Sequence, residues 1–194
     1  AGAQGRTQLE AICTVRAIEK AWVVDANREA AQRYVEEMRG HGLPIPAALA
    51  VASDPAEALR EADIVCTATT SARPVFDDAD LKPGAHVNGI GAYTPQMQEV
   101  PSATVARARV VVDSRAAALA EAGDLIIPLQ DGTITAAAIH GEIGEVAAGL
   151  ISGRQSPEEI TFYKSVGVAV QDVAVAELIL RRATELGLGL EVEL

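Results

Sequence analysis

At 194 residues, with 49% apolar and 22% charged residues, the chain has the size and composition of one well-buried globular domain. Its net charge of −11 argues against a general nucleic-acid surface, which needs a basic face to neutralise phosphates, and against anionic membranes. No apolar run approaches the ~20 residues that cross a bilayer, and no signal-peptide pattern is read.

Helical and extended patterns alternate from the start. Residues 5–15 predict a helix, 19–25 (EKAWVVD) a strand ending in an acid, and Asn27 caps a helix reaching about Arg39. Residues 47–52 form a weak strand, and Asp54-Pro55 opens a short helix through Glu61. Residues 63–69, 85–90 and 109–113 read as buried strands. Beyond them, 114–122 predict a helix, 125–129 (LIIPL) an extended segment, 135–149 a broken helix, 159–163 a strand and 167–186 a long helix. Strands separated by helices at these distances imply βαβ units, hence an α/β, Rossmann-type doubly wound and mostly parallel sheet. Cys13 and Cys66 lack metal-ligand spacing and read as buried thiols of a reducing cytoplasm. His41 and His86 have no clustered partners, so no metal site is expected.

The opening Ala-Gly-Ala-Gln-Gly offers half of a dinucleotide fingerprint, G-x-G-x-x-G. Gly2 and Gly5 match its second and third glycines, so Gly2, Ala3, Gln4 and Gly5 are candidates to cradle a pyrophosphate at a helix N-terminus. Two glycines three apart also mark an ordinary turn. Asp25, twenty residues after Gly5, supports the cofactor reading, because a carboxylate there accepts hydrogen bonds from the adenine ribose and repels the extra phosphate of NADP. NAD is therefore the expected cofactor; the neighbouring Asn27 and Arg28 leave NADP open.

Four segments, taken in order after this turn, carry a family likeness: DIVCTATTSARPVF (63–76), LKPGAHVNGIGAYTP (81–95), ARVVVDSRAAALAEAGDL (108–125) and EITFYKSVGVAVQD (159–172). The chain resembles the ornithine cyclodeaminase/μ-crystallin family across nearly its whole length. The resemblance implies NAD(P)-linked chemistry at a carbon that bears an amine or imine beside a carboxylate. Thr67 and Thr69, at the carboxyl end of their strand, would meet the cofactor unless they cap their own backbone. Ile90 and Gly91 would lie beside the nicotinamide, with Gly89 and Gly91 allowing close approach of a flat ring. Ser165 and the amides of the following helix would hold the carboxamide of nicotinamide or a substrate carboxylate. Tyr93 and Val166 are the substrate-side candidates.

Tyr93 aligns where cyclodeaminases of the family carry an aspartate that handles the substrate amine, which favours a reductase. The expected reaction is reduction of Δ1-pyrroline-2-carboxylate to proline. Ornithine cyclodeamination, alanine dehydrogenation and ligand binding without turnover are the alternatives. Three charged residues read as incidental: Lys164 as a solvated lysine before a helix, Asp124 as a turn residue, and His140 as a structural histidine between Ile139 and Ile143.

The family likeness also implies a first strand, and an N-terminal substrate and dimer domain supplying a lysine and arginines, that are missing from residues 1–194. On this reading the chain is a cofactor domain with a C-terminal helical extension, the full-length protein is a homodimer, and the chain alone is poorly folded and inactive.

Overall fold

The computed structural model describes residues 1–190 and 192. In chain order they form α1 (Ala3–Val15), β1 (Lys20–Val23), α2 (Arg28–Gly40), β2 (Ala48–Val51), α3 (Pro55–Glu61), β3 (Ile64–Thr67), β4 (His86–Gly89), α4 (Ser102–Arg107) and β5 (Arg109–Val112). α5 (Arg115–Glu121), α6 (Gly123–Gln130), β6 (Ile139–Glu142), α7 (Ile143–Ala147), β7 (Thr161–Lys164) and α8 (Ala169–Leu186) complete the fold. Local chemistry sets several boundaries. The Asn27 side chain accepts the Ala30 amide at 3.1 Å to start α2, and Asp54 accepts the amides of Ala56 and Glu57 around a proline at the first helical position of α3.

All strand pairs are parallel. β1 pairs with β2, and the larger sheet has the order β3-β4-β7-β5-β6. Parallel strands buried on both faces favour β-branched side chains, and Val87, Val110, Val112 and Phe162 are almost fully enclosed in the core of the larger sheet. A second cluster (Cys13, Val23, Tyr34, Val35, Met38 and Leu49 among it) joins α1 and α2 to the smaller sheet. Among the described residues, no strand pairs with the β1 edge away from β2 or the β3 edge away from β4. β7, the last strand among the described residues, is the middle strand of the larger sheet.

Two expectations fail. Residues 125–129 are helical: α6 buries Leu125, Ile126 and Pro128, and a short apolar run buried on most sides carries no periodicity that separates helix from strand. Residues 135–149 are not one helix. A 3-10 turn at Ala136–Ala138 feeds β6, which pairs with β5 through a register shift between Val110 and Val111, and only then does α7 begin. His140 therefore lies on an edge strand, exposed, with Nδ1 donating to the Ala138 carbonyl at 3.1 Å rather than packing inside a helix. The long C-terminal helix forms as expected, but no α8 side chain is buried; Val170, Val173, Leu178 and Leu180 are exposed.

His86 opens β4, half-buried, with Nδ1 against the Thr161 hydroxyl (2.7 Å) and Nε2 against Asn88 Oδ1 (3.2 Å). Because Oδ1 only accepts, Nε2 carries the proton and Nδ1 accepts from Thr161, whose oxygen in turn takes a donor from Arg154 (3.0 Å). Burial, with a lesser contribution from the Arg154 charge, holds the imidazolium pKa below its ordinary value. The unfolded chain then takes up this proton first. Stability is accordingly fully present above about pH 6.5 and falls as the pH drops from there through the folded-state pKa. In thermal melts between neutral and mildly acidic pH, His86→Gln should flatten that slope; an unchanged slope would assign it to other groups.

Candidate functional site

Two groups of residues from the sequence analysis assemble in different ways. The first is the opening turn. Gly2 is the N-cap of α1 with extended backbone, and no side chain caps the first helical turn. Gly2, Ala3 and Gln4 are exposed, and the space beside Gly2 is open: a Cβ there would meet nothing within 4 Å. Gly5 instead faces the Tyr34 ring, with 3.7 Å between the ring edge and a notional Cβ, and the Tyr34 hydroxyl donates to the Gly5 carbonyl at 2.8 Å. That burial pushes the Tyr34 phenol up to about 12, so it remains a donor. Arg6 adds a two-pronged pair with Glu37 of α2 (2.8 and 2.5 Å). These ties hold the turn beside the end of β1, where Asp25 Oδ2 lies 2.8 Å from the Ala1 nitrogen and Oδ1 accepts the Asn27 amide at 2.8 Å. An uncapped helix start, an open glycine and an adjacent carboxylate fit the pyrophosphate and adenine ribose of a dinucleotide.

The second group gathers at the carboxyl ends of β3, β4, β7 and β5, which point the same way because all four are parallel. Here the side chains point differently from expectation. Thr69 lies beyond the end of β3, exposed, with its hydroxyl accepting the Ser71 amide. Thr67 is buried and donates to Glu99 Oε2 at 3.0 Å. Ile90 continues the ladder through its amide to the Thr67 carbonyl (2.9 Å). Gly91 is required by the protein itself, since a Cβ there would overlap the backbone of Thr69 and a carboxylate oxygen of Glu99. Gly89 is filled similarly, by the Phe162 ring. Tyr93 is 53% exposed at the rim, whereas the Val166 side chain packs against the core.

The 165–167 segment also differs. α8 begins only at Ala169, and the three donors before it are already committed: Ser165 Oγ (3.0 Å) and the amides of Val166 (2.8 Å) and Gly167 (2.7 Å) all donate to Asp113 Oδ2. A ligand carboxamide or carboxylate cannot use those donors without displacing Asp113.

Beneath these loops lies a buried charged cluster missed by the sequence reading. Glu99, Asp124 and Lys164 are fully enclosed, and Asp113 nearly so. Glu99 accepts from Thr67 Oγ1, from the Thr69 amide and from the Gly91 amide (2.6 Å). Asp124, in the first turn of α6, accepts the amides of Glu99 (2.7 Å) and Val100 (3.0 Å) on Oδ1. Lys164 donates to the Gly89 carbonyl at 3.1 Å and places Nζ 3.3 Å from Asp124 Oδ2, a charge contact that leaves Oδ2 without an aligned donor. Burial pushes the Asp124 carboxyl up and the Lys164 ammonium down, each opposed by the partner's charge. Lys164 is thus not solvated, and Asp124 is not a turn residue. Strand alternation carried the signal for the lysine, because Ile160, Phe162 and Lys164 occupy the same face and the first two are core.

The thiols form no bridge; Cys13 is buried and Cys66 half-buried, its pKa pushed up to about 12 by burial. Among the described residues no group of His, Cys, Asp and Glu is arranged to hold a metal ion, and no helix is long and apolar enough to cross a membrane.

The sequence model of the ornithine cyclodeaminase/μ-crystallin family matches residues 1–187. The chain belongs to that family. It is 44% identical to a Δ1-pyrroline-2-carboxylate reductase of Bacillus cereus, over 99% of this chain and 58% of that protein. Among solved structures it is similar to the Thermococcus litoralis Δ1-pyrroline-2-carboxylate reductase in complex with NADH and L-proline (TM-score 0.93, 41% identity, 99% of this chain and 58% of that one). It is also similar to an archaeal alanine dehydrogenase dimer with bound NAD (TM-score 0.88, 35% identity, 99% and 58%). The likeness extends through the whole fold, and identifies it as the Rossmann-type α/β domain of this family. The chain spans about three-fifths of the length of these relatives (58%).

Proposed function

We propose that the full-length protein is an NAD(P)-dependent oxidoreductase that reduces Δ1-pyrroline-2-carboxylate to proline, and that residues 1–194 form its cofactor domain with a C-terminal helical extension. The observation that carries this reading is the 44% identity to a Δ1-pyrroline-2-carboxylate reductase over 99% of the chain. When bound, NAD(P)H would supply the hydride for the imine carbon, with a proton at the nitrogen completing the amine. The chain's own residues bind and orient. Gly2, Ala3, Gln4 and Gly5 offer amides at the start of α1 to the pyrophosphate, and Asp25 offers acceptors to the adenine ribose, favouring NAD over NADP. The loops after β3 and β4, with Thr69, Ile90 and Gly91, form the nicotinamide end, and Thr67 and Ser165 stand behind it, held by Glu99 and Asp113. Tyr93 stands at the rim on the substrate side, and Val166, the other substrate-side candidate, packs against the core. The remaining length of the relatives leaves room for a substrate domain that supplies the groups for the substrate carboxylate. A homodimer is supported by the dimeric alanine dehydrogenase neighbour, and a reducing, cytoplasmic setting by two unbridged thiols.

The test is NADH oxidation by the full-length protein on pyrroline-2-carboxylate. Turnover at a kcat of order 1–10³ per second is expected, the usual enzyme range. Proline and ammonia from ornithine without net NADH consumption would indicate a cyclodeaminase instead, and tight NADH binding with no turnover on any imine or amino acid would indicate a ligand-binding protein.

A further inference from the structure

Glu99 is fully buried, yet it neither faces open space nor pairs directly with a cation. Its two oxygens take three donors, one from the end of β3 and one from each of the loops that follow β3 and β4. Oε1 accepts the Thr69 amide, and Oε2 accepts the Gly91 amide and the Thr67 hydroxyl. The segment that carries Glu99 is itself held from behind, because Asp124 accepts the amides of both Glu99 and Val100. Asp124 in turn rests against Lys164, which also donates to the Gly89 carbonyl at the end of β4. The chain of contacts therefore runs from β7 through α6 to the 99–100 segment, and from there to the loops after β3 and β4. Gly91 is the counterpart of this arrangement, since any side chain at that position would drive Thr69 and Glu99 apart.

We infer that Glu99 is a positioning residue: it clamps the loops 68–71 and 90–93 to each other and so fixes the wall against which the nicotinamide end of the cofactor is held. This rests on the cofactor reading above. A carboxylate suits the task because it accepts on both oxygens, and donors in a dry site lose heavily if their acceptor is removed. Glutamine has nearly the same shape but only one acceptor oxygen. Its best orientation puts that oxygen where two donors converge and turns its NH2 towards the Thr69 amide. Loop 68–71 is then released while the core is spared.

The experiment compares wild type and Glu99→Gln in the full-length protein by amide hydrogen exchange without cofactor, and by NADH titration and steady-state kinetics. The Thr69 amide should exchange at least roughly tenfold faster in the variant, with the amides of β4 and β5 unchanged. The dissociation constant and KM for NADH should rise roughly tenfold, while kcat at saturating NADH changes by less than about threefold. A purely structural role would slow kcat and lower the melting temperature without this split. Unchanged exchange at Thr69 overturns the clamp. Faster exchange with unaltered NADH affinity overturns its role in holding the cofactor wall. If wild type itself binds no NADH, the oxidoreductase reading fails and takes the cofactor role of the clamp with it, whereas binding by wild type alone separates the two. Should Glu99→Gln not fold, Thr67→Val decides: losing the hydroxyl donor to Oε2 should raise KM for NADH by about two- to threefold, and no change overturns the inference.

Discussion

Replacing Lys164 with Met is expected to destabilise the fold by about 3–5 kcal/mol at neutral pH, the range for stranding one member of a buried ion pair. Lys164 is fully enclosed and lies 3.3 Å from Asp124, itself fully enclosed. Methionine fills most of the volume but leaves the Asp124 charge with backbone amides alone. The carboxyl, already raised by burial, then rises further. The folded state holds a proton that the unfolded state has released, so stability falls as the pH rises from the ordinary carboxylate value towards the raised one. Urea denaturation of the variant should therefore show its largest deficit at neutral and higher pH and a smaller one in mild acid. Adding Asp124→Asn should recover most of the loss, because Asn keeps an acceptor for the Glu99 and Val100 amides without the charge. Asp124→Leu should not, because it strands both amides. A single variant as stable as wild type would mean that the pair is dispensable.

Asp25→Ala is expected to weaken NADH binding roughly 10- to 100-fold, because hydrogen bonds to a charged acceptor contribute about 1.5–3 kcal/mol and each tenfold in affinity is about 1.4 kcal/mol. kcat at saturating NADH should change little, since the adenine ribose is remote from the hydride transfer. Preference for NADH over NADPH should shrink, because the repelling carboxylate is gone. Fluorescence titration with both nucleotides measures this. NADH affinity within about twofold of wild type would remove Asp25 from the ribose site and weaken the case for the opening turn as well.

The βαβ succession was legible because Asn27, Asp54-Pro55 and the valine-rich strands act locally, through caps and alternation. The opening turn and Asp25 were legible for a related reason: a fixed spacing places them side by side once β1 and α1 form. The sheet-edge cluster was hidden because Glu99, Asp113, Asp124 and Lys164 come from four separate stretches: Lys164 reads as a solvated charge, Asp124 as a turn residue, Asp113 as the end of a strand, and nothing local singles out Glu99. Their burial depends on strand order, and nothing local shows that β7 lies between β4 and β5. Ser165 shows the same limit. Its donors looked available to a ligand until the fold brought Asp113 beneath them. α6 was misread because a short apolar run carries no periodicity that separates helix from strand, yet packing on most sides made a helix of it.

The central position of β7 has a consequence for synthesis. β3 with β4 and β5 with β6 can each pair early, but the two halves cannot join until residues 161–164 have left the ribosome and slid between them. The same four residues bring Lys164, which among the described residues is the only buried cation. Until that moment Asp124 has no counter-charge, and solvation of its carboxylate opposes premature closure of the half-built sheet. A nascent chain stopped before residue 160 should therefore remain open to chaperones and proteases, and the arrival of β7 joins the two halves of the larger sheet.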